Sequence, residues 1–254
     1  MAINWKIAQE KEKKYWSDIY LSNKKDDIYT PSFDEGWLGF AKEVLQRNNL
    51  DIEHLNNKVI LDLGSGPAGV AKGLHLFLKS QQLKNVKIIA ADPLMDFYKK
   101  EIKLMKEDEN LKLLNISAEK LDLPDESVDI IFCTNVLDHC ENPEKTVEQC
   151  ERVLKKNGSF YPSLHLTYSL YKPFLNYIKY FDTNHPHHFD INKIKRLLKK
   201  YFKNVENLRN FTIKNDQKDF NFSLIFKGKD KIRALKRIIS NYILYTSYFQ
   251  CIKD

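Results

Sequence analysis

Between residues 59 and 69 the sequence VILDLGSGPAG sets an acid, Asp62, two positions before the first of the glycines Gly64, Gly66 and Gly69, with Ser65 between the first two. A short apolar run entering such a turn is the pattern of a strand that feeds a helix, and it lets the main chain approach a ligand with no Cβ in the way. Pro67 suits the first turn of that helix. Read literally, the three glycines satisfy the dinucleotide fingerprint G-x-G-x-x-G, so a nicotinamide dinucleotide is one candidate ligand. Asp62 argues for another. A carboxylate at the mouth of a sheet repels a pyrophosphate and attracts an ammonium group, so a zwitterionic ligand fits better. Asp92 closes the next apolar run and is followed by Pro93. It can accept hydrogen bonds from a ribose diol in either kind of ligand. For each acid the alternative role is that of a helix N-cap.

Histidines follow further along. His139 comes after the fourth apolar run, in NVLDH, at the rim where folds of this kind hold their ligands. An imidazole there suits a general base for a hydroxyl whose proton must leave; its alternative role is a residue at a helix start bonded to local backbone. His165 ends the fifth run, and His185, His187 and His188 precede a helical stretch, where they could form the wall of an acceptor site. Three close histidines raise the question of a metal, but Pro186 interrupts them and no i, i+4 pair exists, so no metal site is expected. The cysteines, Cys133, Cys140, Cys150 and Cys251, show neither C-x-x-C nor zinc spacing. Reduced thiols in a cytoplasmic protein follow.

The elements that must position these groups alternate. Strands are expected over 58–63, 86–91, 111–116, 128–134 and 159–165, rich in Val, Ile, Leu and Phe. Helices with apolar residues at helical spacing are expected over 68–79, 94–105 and 143–154, the last ended by the basic turn 155–158. Such alternation is the sign of βαβ units and a parallel sheet. An aromatic cover is expected at about 166–189, then a helix over 190–201, then strands over 205–213 and 219–226 that pair as an antiparallel closing hairpin. Residues 1–50 read as a helical cap carrying Tyr15, Trp16 and Tyr20, and residues 229–254 as a basic amphipathic helix after the main domain, 51–228. The fold class is thus α/β, a seven-stranded, mostly parallel sheet with helices on both faces.

The 254 residues suit one such domain with additions. With 43% hydrophobic and 30% charged residues the chain has the composition of a globular protein. The formal charge of +7 admits nucleic acid, an anionic surface or an acidic substrate. Its excess lies in 193–200 and 227–237, which read as solvated helix faces. No run of about 18 apolar residues marks a transmembrane segment, and the first 14 residues lack the apolar core of a signal peptide. The segment 232–249 has an apolar face beside a basic one. It would pack on its own domain, form a homodimer surface in place of a monomer, or lie on an anionic membrane, in that order of preference.

Five ordered blocks complete the pattern: LDLGSGPAG (61–69), AADPL (90–94), SAEKLDLPDESVD (117–129), IFCTNVLDHCENP (131–143) and RVLKKNG (152–158). In order and spacing they resemble the class I S-adenosylmethionine-dependent methyltransferases, especially the bacterial small-molecule group with a Rossmann-like domain. The resemblance implies S-adenosyl-L-methionine as cofactor. By it the turn 64–66 holds the methionine part, Asp92 the ribose, Ala118 and Glu119 the adenine edge, and 134–136, with Asn135 at its centre, the floor near the sulfonium. Ala68 and Ser117 depart from the residues many members carry at those places. The acceptor is expected to be a small polar molecule: a hydroxyl of a sugar, a sugar nucleotide, or a phosphate-like metabolite, as in cell-surface glycan synthesis. TNVL (134–137) lacks the Asn/Asp-Pro-Pro-aromatic pattern of enzymes that methylate base amino groups, so an RNA methyltransferase reading rests on net charge alone. An NAD-dependent oxidoreductase and a non-catalytic partner subunit are the remaining alternatives.

Overall fold

The computed structural model describes residues 5–20, 34–168, 187–212 and 244–254. Seven strands, β1 (Val59–Leu63), β2 (Lys87–Ala91), β3 (Leu111–Leu114), β4 (Val128–Thr134), β5 (Leu154–Thr167), β6 (Asn204–Thr212) and β7 (Leu244–Ile252), form one sheet in the order β3-β2-β1-β4-β5-β7-β6. The first five run parallel, and β7 lies antiparallel to both β5 and β6.

Helices cover both faces, which is why the inner strands read as continuous apolar runs without alternation. Ile60, Ile88 and Ile130 face one side, packed with α2 (Asp34–Arg47) and α3 (Gly69–Lys79) through Ala41, Val44, Leu74 and Phe77. Leu61, Leu63 and Ile131 face the other, packed with α5 (Pro143–Val153) and α6 (Ile191–Tyr201) through Val147, Cys150, Ile194 and Leu198. Each of the latter helices is capped as its sequence demands. The Asn142 side chain accepts from the Lys145 N–H at 3.0 Å, with Pro143 in the first turn, and Asp190 accepts from the Lys193 N–H at 2.8 Å.

Three expectations change. The helix expected over 94–105 is one α turn, α4 (Met95–Phe97), running into the π-helix Tyr98–Ile102; its wider bond, Lys103 N–H to Tyr98 carbonyl at 2.8 Å, ends with Lys103 left-handed at φ 59°. The chain after α5 enters β5 at once, because Leu154 pairs with Val128, so 155–158 is strand and not a helix end. The largest correction concerns the C-terminus: over Leu244–Ile252 the basic helix expected for 229–254 is a strand seated between β5 and β6. There both neighbours satisfy its main chain and both faces are covered, with Tyr245, Ser247, Tyr248, Phe249 and Cys251 all buried. Thus β6 of the closing hairpin is where it was expected, but it pairs with β7. The other strand expected, 219–226, lies outside the described residues, as do 169–186 of the aromatic cover. N-terminal residues form α1 (Trp5–Tyr20) and α2.

Candidate functional site

The chain crosses from one half of the sheet to the other between β1 and β4, and the crevice beyond the carboxyl ends of these strands is where open α/β sheets bind ligands. The glycine turn lies at that point. Gly64, Gly66 and Gly69 have φ of 66°, 57° and 52°, and the N–H groups of Gly64 and Ser65 donate to the Ala91 carbonyl at 2.7 and 3.2 Å, lashing the turn to the end of β2. A Cβ at Gly64 would lie 2.4 Å from Val136 Cγ2, so the residues after β4 press directly on the turn.

Asp62, 2% exposed, accepts the Ala71 N–H on Oδ2 at 2.7 Å and so anchors the first turn of α3. Burial pushes its carboxyl up to about 7, against the pull of the Ala71 and Val70 N–H groups. The N-cap of α3 is Ala68, so Asp62 answers a first-turn N–H from the strand and not from the cap position. Asp92 is built alike: Oδ2 accepts the Gly66 N–H at 3.0 Å and Oδ1 the Leu94 N–H at 2.8 Å, across Pro93 in the sequence. Burial pushes Asp92 up to about 6, the charge of Glu12 adding to the effect.

Glu12 is a residue the sequence reading missed. It sits on α1, where its Oε1 accepts Trp16 Nε1–H at 2.8 Å, and Trp16 Cζ2 lies 3.3 Å from where a Cβ of Gly66 would stand. The indole covers the glycine turn and stacks on Tyr20, ring centroids 5.8 Å apart. The available signal was the Glu12–Trp16 spacing of four residues, one helical turn.

On the opposite side Ala118 is buried, and the Glu119 carboxylate accepts the N–H groups of Glu141 and Asn142 at 2.8 and 3.2 Å. Glu119 thus holds the turn ahead of α5. Asn135, left-handed at φ 57°, donates its N–H to the Ser163 carbonyl at 2.7 Å and places Nδ2 3.5 Å from His139 Nε2. The structure therefore brings Asn135 and His139 together on the rim. His165, near the end of β5, meets Thr246 Oγ1 of β7 with its Nδ1 at 3.1 Å. His188 is buried ahead of α6, and its carbonyl accepts Lys193 Nζ at 3.3 Å. His185 lies outside the described residues, among which no group of three or more His, Cys, Asp or Glu side chains could hold a metal.

Sheet order, glycine turn and paired acids are those of the class I methyltransferase fold, and comparison with known proteins agrees. Residues 61–161 match the methyltransferase domain family, and S-adenosylmethionine is the cofactor of this domain. A 59-residue stretch is 36% identical to an uncharacterized protein of Methanocaldococcus jannaschii, covering 23% of this chain and 29% of that protein. Among solved structures, an arsenic(III) S-adenosylmethionine methyltransferase of Chlamydomonas reinhardtii superposes with a TM-score of 0.60 at 16% identity, over 88% of this chain and 75% of the other. Phosphoethanolamine N-methyltransferase 2 of Haemonchus contortus, bound to phosphomonomethylethanolamine and S-adenosylhomocysteine, does so at 0.54 and 15%, over 89% and 58%. The residues present fit the cofactor: two enclosed carboxylates, able to meet a cation and hydroxyl donors, beside a main chain bared of side chains.

Proposed function

We propose that the protein transfers the methyl group of S-adenosylmethionine to a hydroxyl of a small polar acceptor, a sugar, sugar nucleotide or related metabolite. The observation that carries the donor half is the Asp92 clasp, which presents a buried carboxylate beside Gly66 at the switch point of the sheet. In this reading Asp92 takes the ribose hydroxyls. Asp62 and the turn Gly64, Ser65 and Gly66 hold the methionine portion, Ala118 lines the adenine edge, and Asn135 floors the centre of transfer. The sulfonium supplies an already activated methyl group, so the protein has mainly to align the acceptor and exclude water. Trp16 excludes water from above the turn.

The acceptor half is supported by the imidazoles on the rim. His139 beside Asn135, and His187 and His188 ahead of α6, offer imidazoles, which can take the proton that a hydroxyl acceptor must lose. The four cysteines are free thiols, all buried, which suits a reducing cytoplasmic compartment. No helix among the described residues is long and apolar enough to cross a membrane.

The deciding experiment pairs ligand-induced thermal stabilisation with methyl transfer. Saturating S-adenosylhomocysteine should raise Tm, since a ligand that binds the folded state must stabilise it, and NADH should not. Labelled methyl should then pass to members of a panel of monosaccharides and sugar nucleotides. A rise with NADH alone, or label entering only RNA, would overturn the reading.

A further inference from the structure

Beyond the last pair of β4 and β5, Thr134 with Ser163, the strand β5 runs on, and residues 187–189 take the place of β4 beside it. The Thr167 N–H donates to the Phe189 carbonyl at 2.8 Å, and the His187 N–H to the Asp138 carbonyl at 3.1 Å. Three pieces of chain are thereby tied side by side: the turn after β4, the segment ahead of α6, and the end of β5.

Each brings a polar side chain that the protein leaves unanswered. Asp138 and Thr167 are each 1% exposed. Asp138 Oδ1, Thr167 Oγ1, His187 Nε2 and Asn135 Oδ1 are enclosed and have no hydrogen-bond partner among the described residues. An unsatisfied buried polar group costs about 1–3 kcal/mol, so a set of them at a ligand-binding rim is what a site for a polar ligand leaves behind. Their chemistry states what that ligand must bring. Carboxylate and amide oxygens only accept, and the Thr167 hydroxyl does either, so the ligand must be rich in donors.

The ring of His187 is set for one task. The main chain of Glu141 and Cys140 lies beside it and favours its protonated form. The N–H groups of those two residues are given to Glu119 Oε1 and to the Val136 carbonyl, which leaves their carbonyl oxygens to face the ring. Carbonyl oxygens beside the ring favour the Nδ1–H tautomer, which leaves the lone pair on the unpartnered Nε2. Burial holds the imidazole below its ordinary value; Lys193 pushes the same way, and the Asp138 carboxylate opposes both. At pH 7 the ring is neutral.

We propose that His187 Nε2 is the general base of the reaction, and that Asp138, Thr167 and Asn135 receive the hydrogen bonds of further hydroxyls of a polyol acceptor. This rests on methyl transfer to a hydroxyl. The acceptor oxygen forms the O–CH3 bond as the S–CH3 bond breaks and leaves its electron pair on sulfur. The hydroxyl proton passes to Nε2, and the imidazolium so formed is balanced by Asp138.

Two measurements on the full chain test it. Ring 15N spectra, with the His187 signals identified by their loss in His187→Gln, should show Nδ1 protonated and Nε2 bare at pH 7. An Nε2–H tautomer or a doubly protonated ring would overturn the proposal without any acceptor being known. Single-turnover transfer of labelled methyl from S-adenosylmethionine to a panel of monosaccharides, with ethanolamine as the amine, is the second. His187→Gln should lower transfer to hydroxyls by about 10²- to 10⁴-fold and abolish the acid limb of the pH profile, while S-adenosylhomocysteine binding is kept. Hydroxyl methylation within threefold of wild type in that variant would overturn the base and leave the proposed reaction standing. Label entering ethanolamine alone would overturn both.

Discussion

The main-chain N–H of Ala71 donates to Asp62 Oδ2 at 2.7 Å, joining the end of β1 to the first turn of α3 across nine residues. That bond passes through the space that a side chain at Gly69 would occupy, since a Cβ there would stand 2.5 Å from Oδ2. The acid proposed to face the cofactor therefore also shapes the turn beside it.

Gly69→Ala follows directly. At φ 52° an alanine is strained, and its Cβ would displace the Asp62 carboxylate. A loss of about 1–3 kcal/mol is expected from the backbone alone. Denaturant unfolding should show it, and the Tm rise with S-adenosylhomocysteine should disappear.

Asp62 makes stability depend on pH. Its folded value of about 7 lies above the ordinary 3.8, so the folded state holds the proton more tightly than the unfolded one. The stabilisation is full below about pH 4, falls as pH rises toward 7, and is level beyond. Asp62→Asn removes this dependence. The stability of wild type relative to Asp62→Asn should fall by up to about 1.4 kcal/mol per pH unit in that window, read from unfolding curves at each pH.

Asp92→Asn keeps the shape but not the chemistry. Two N–H groups, of Gly66 and Leu94, lie at 3.0 and 2.8 Å from its two oxygens, and an amide offers only one acceptor oxygen. Hydrogen bonds to a charged group contribute about 1.5–3 kcal/mol, so S-adenosylhomocysteine should bind about 10- to 150-fold more weakly by calorimetry.

Arg152, in the last turn of α5, carries the loop ahead of β4. Nη1 donates to the Leu123 carbonyl at 2.9 Å and Nη2 to the Leu121 carbonyl at 2.6 Å, and the same guanidinium pairs with Asp125. Arg152→Ala should cost about 1–3 kcal/mol in unfolding experiments. Lysine, a single point of charge, should not restore the fork. Affinity for S-adenosylhomocysteine should stay within threefold, because the residue touches none of the cofactor elements.

The glycine turn and the two acids proposed to hold the donor were legible because their signals are local. Asp62, Gly64, Gly66 and Asp92 sit where strand ends meet turns, and a strand end is readable from a few neighbouring residues. Glu119 was legible as a residue of the site's border but not in its work, which is to hold the N–H groups of Glu141 and Asn142. That bond joins positions 22 residues apart and leaves no local mark. Glu12 and Trp16 were obscured similarly, since an aromatic helix face reads the same whether it packs on a core or on a glycine turn.

The order of residues along the chain was enough for the alternation of strands and helices, the glycine turn and its two acids, because these depend on apolar period and on backbone freedom within one turn. It was not enough for β7 or for the acceptor side. A strand buried on both faces loses the period of two that would reveal it, and Leu244–Ile252 became a strand because β5 and β6 stand on either side of it. Likewise Asp138, Thr167 and His187 lie far apart in sequence and meet only where residues 187–189 fill the gap beyond β4. Hydrogen bonding between distant segments is a property of the assembled sheet, and no stretch of the chain carries it alone.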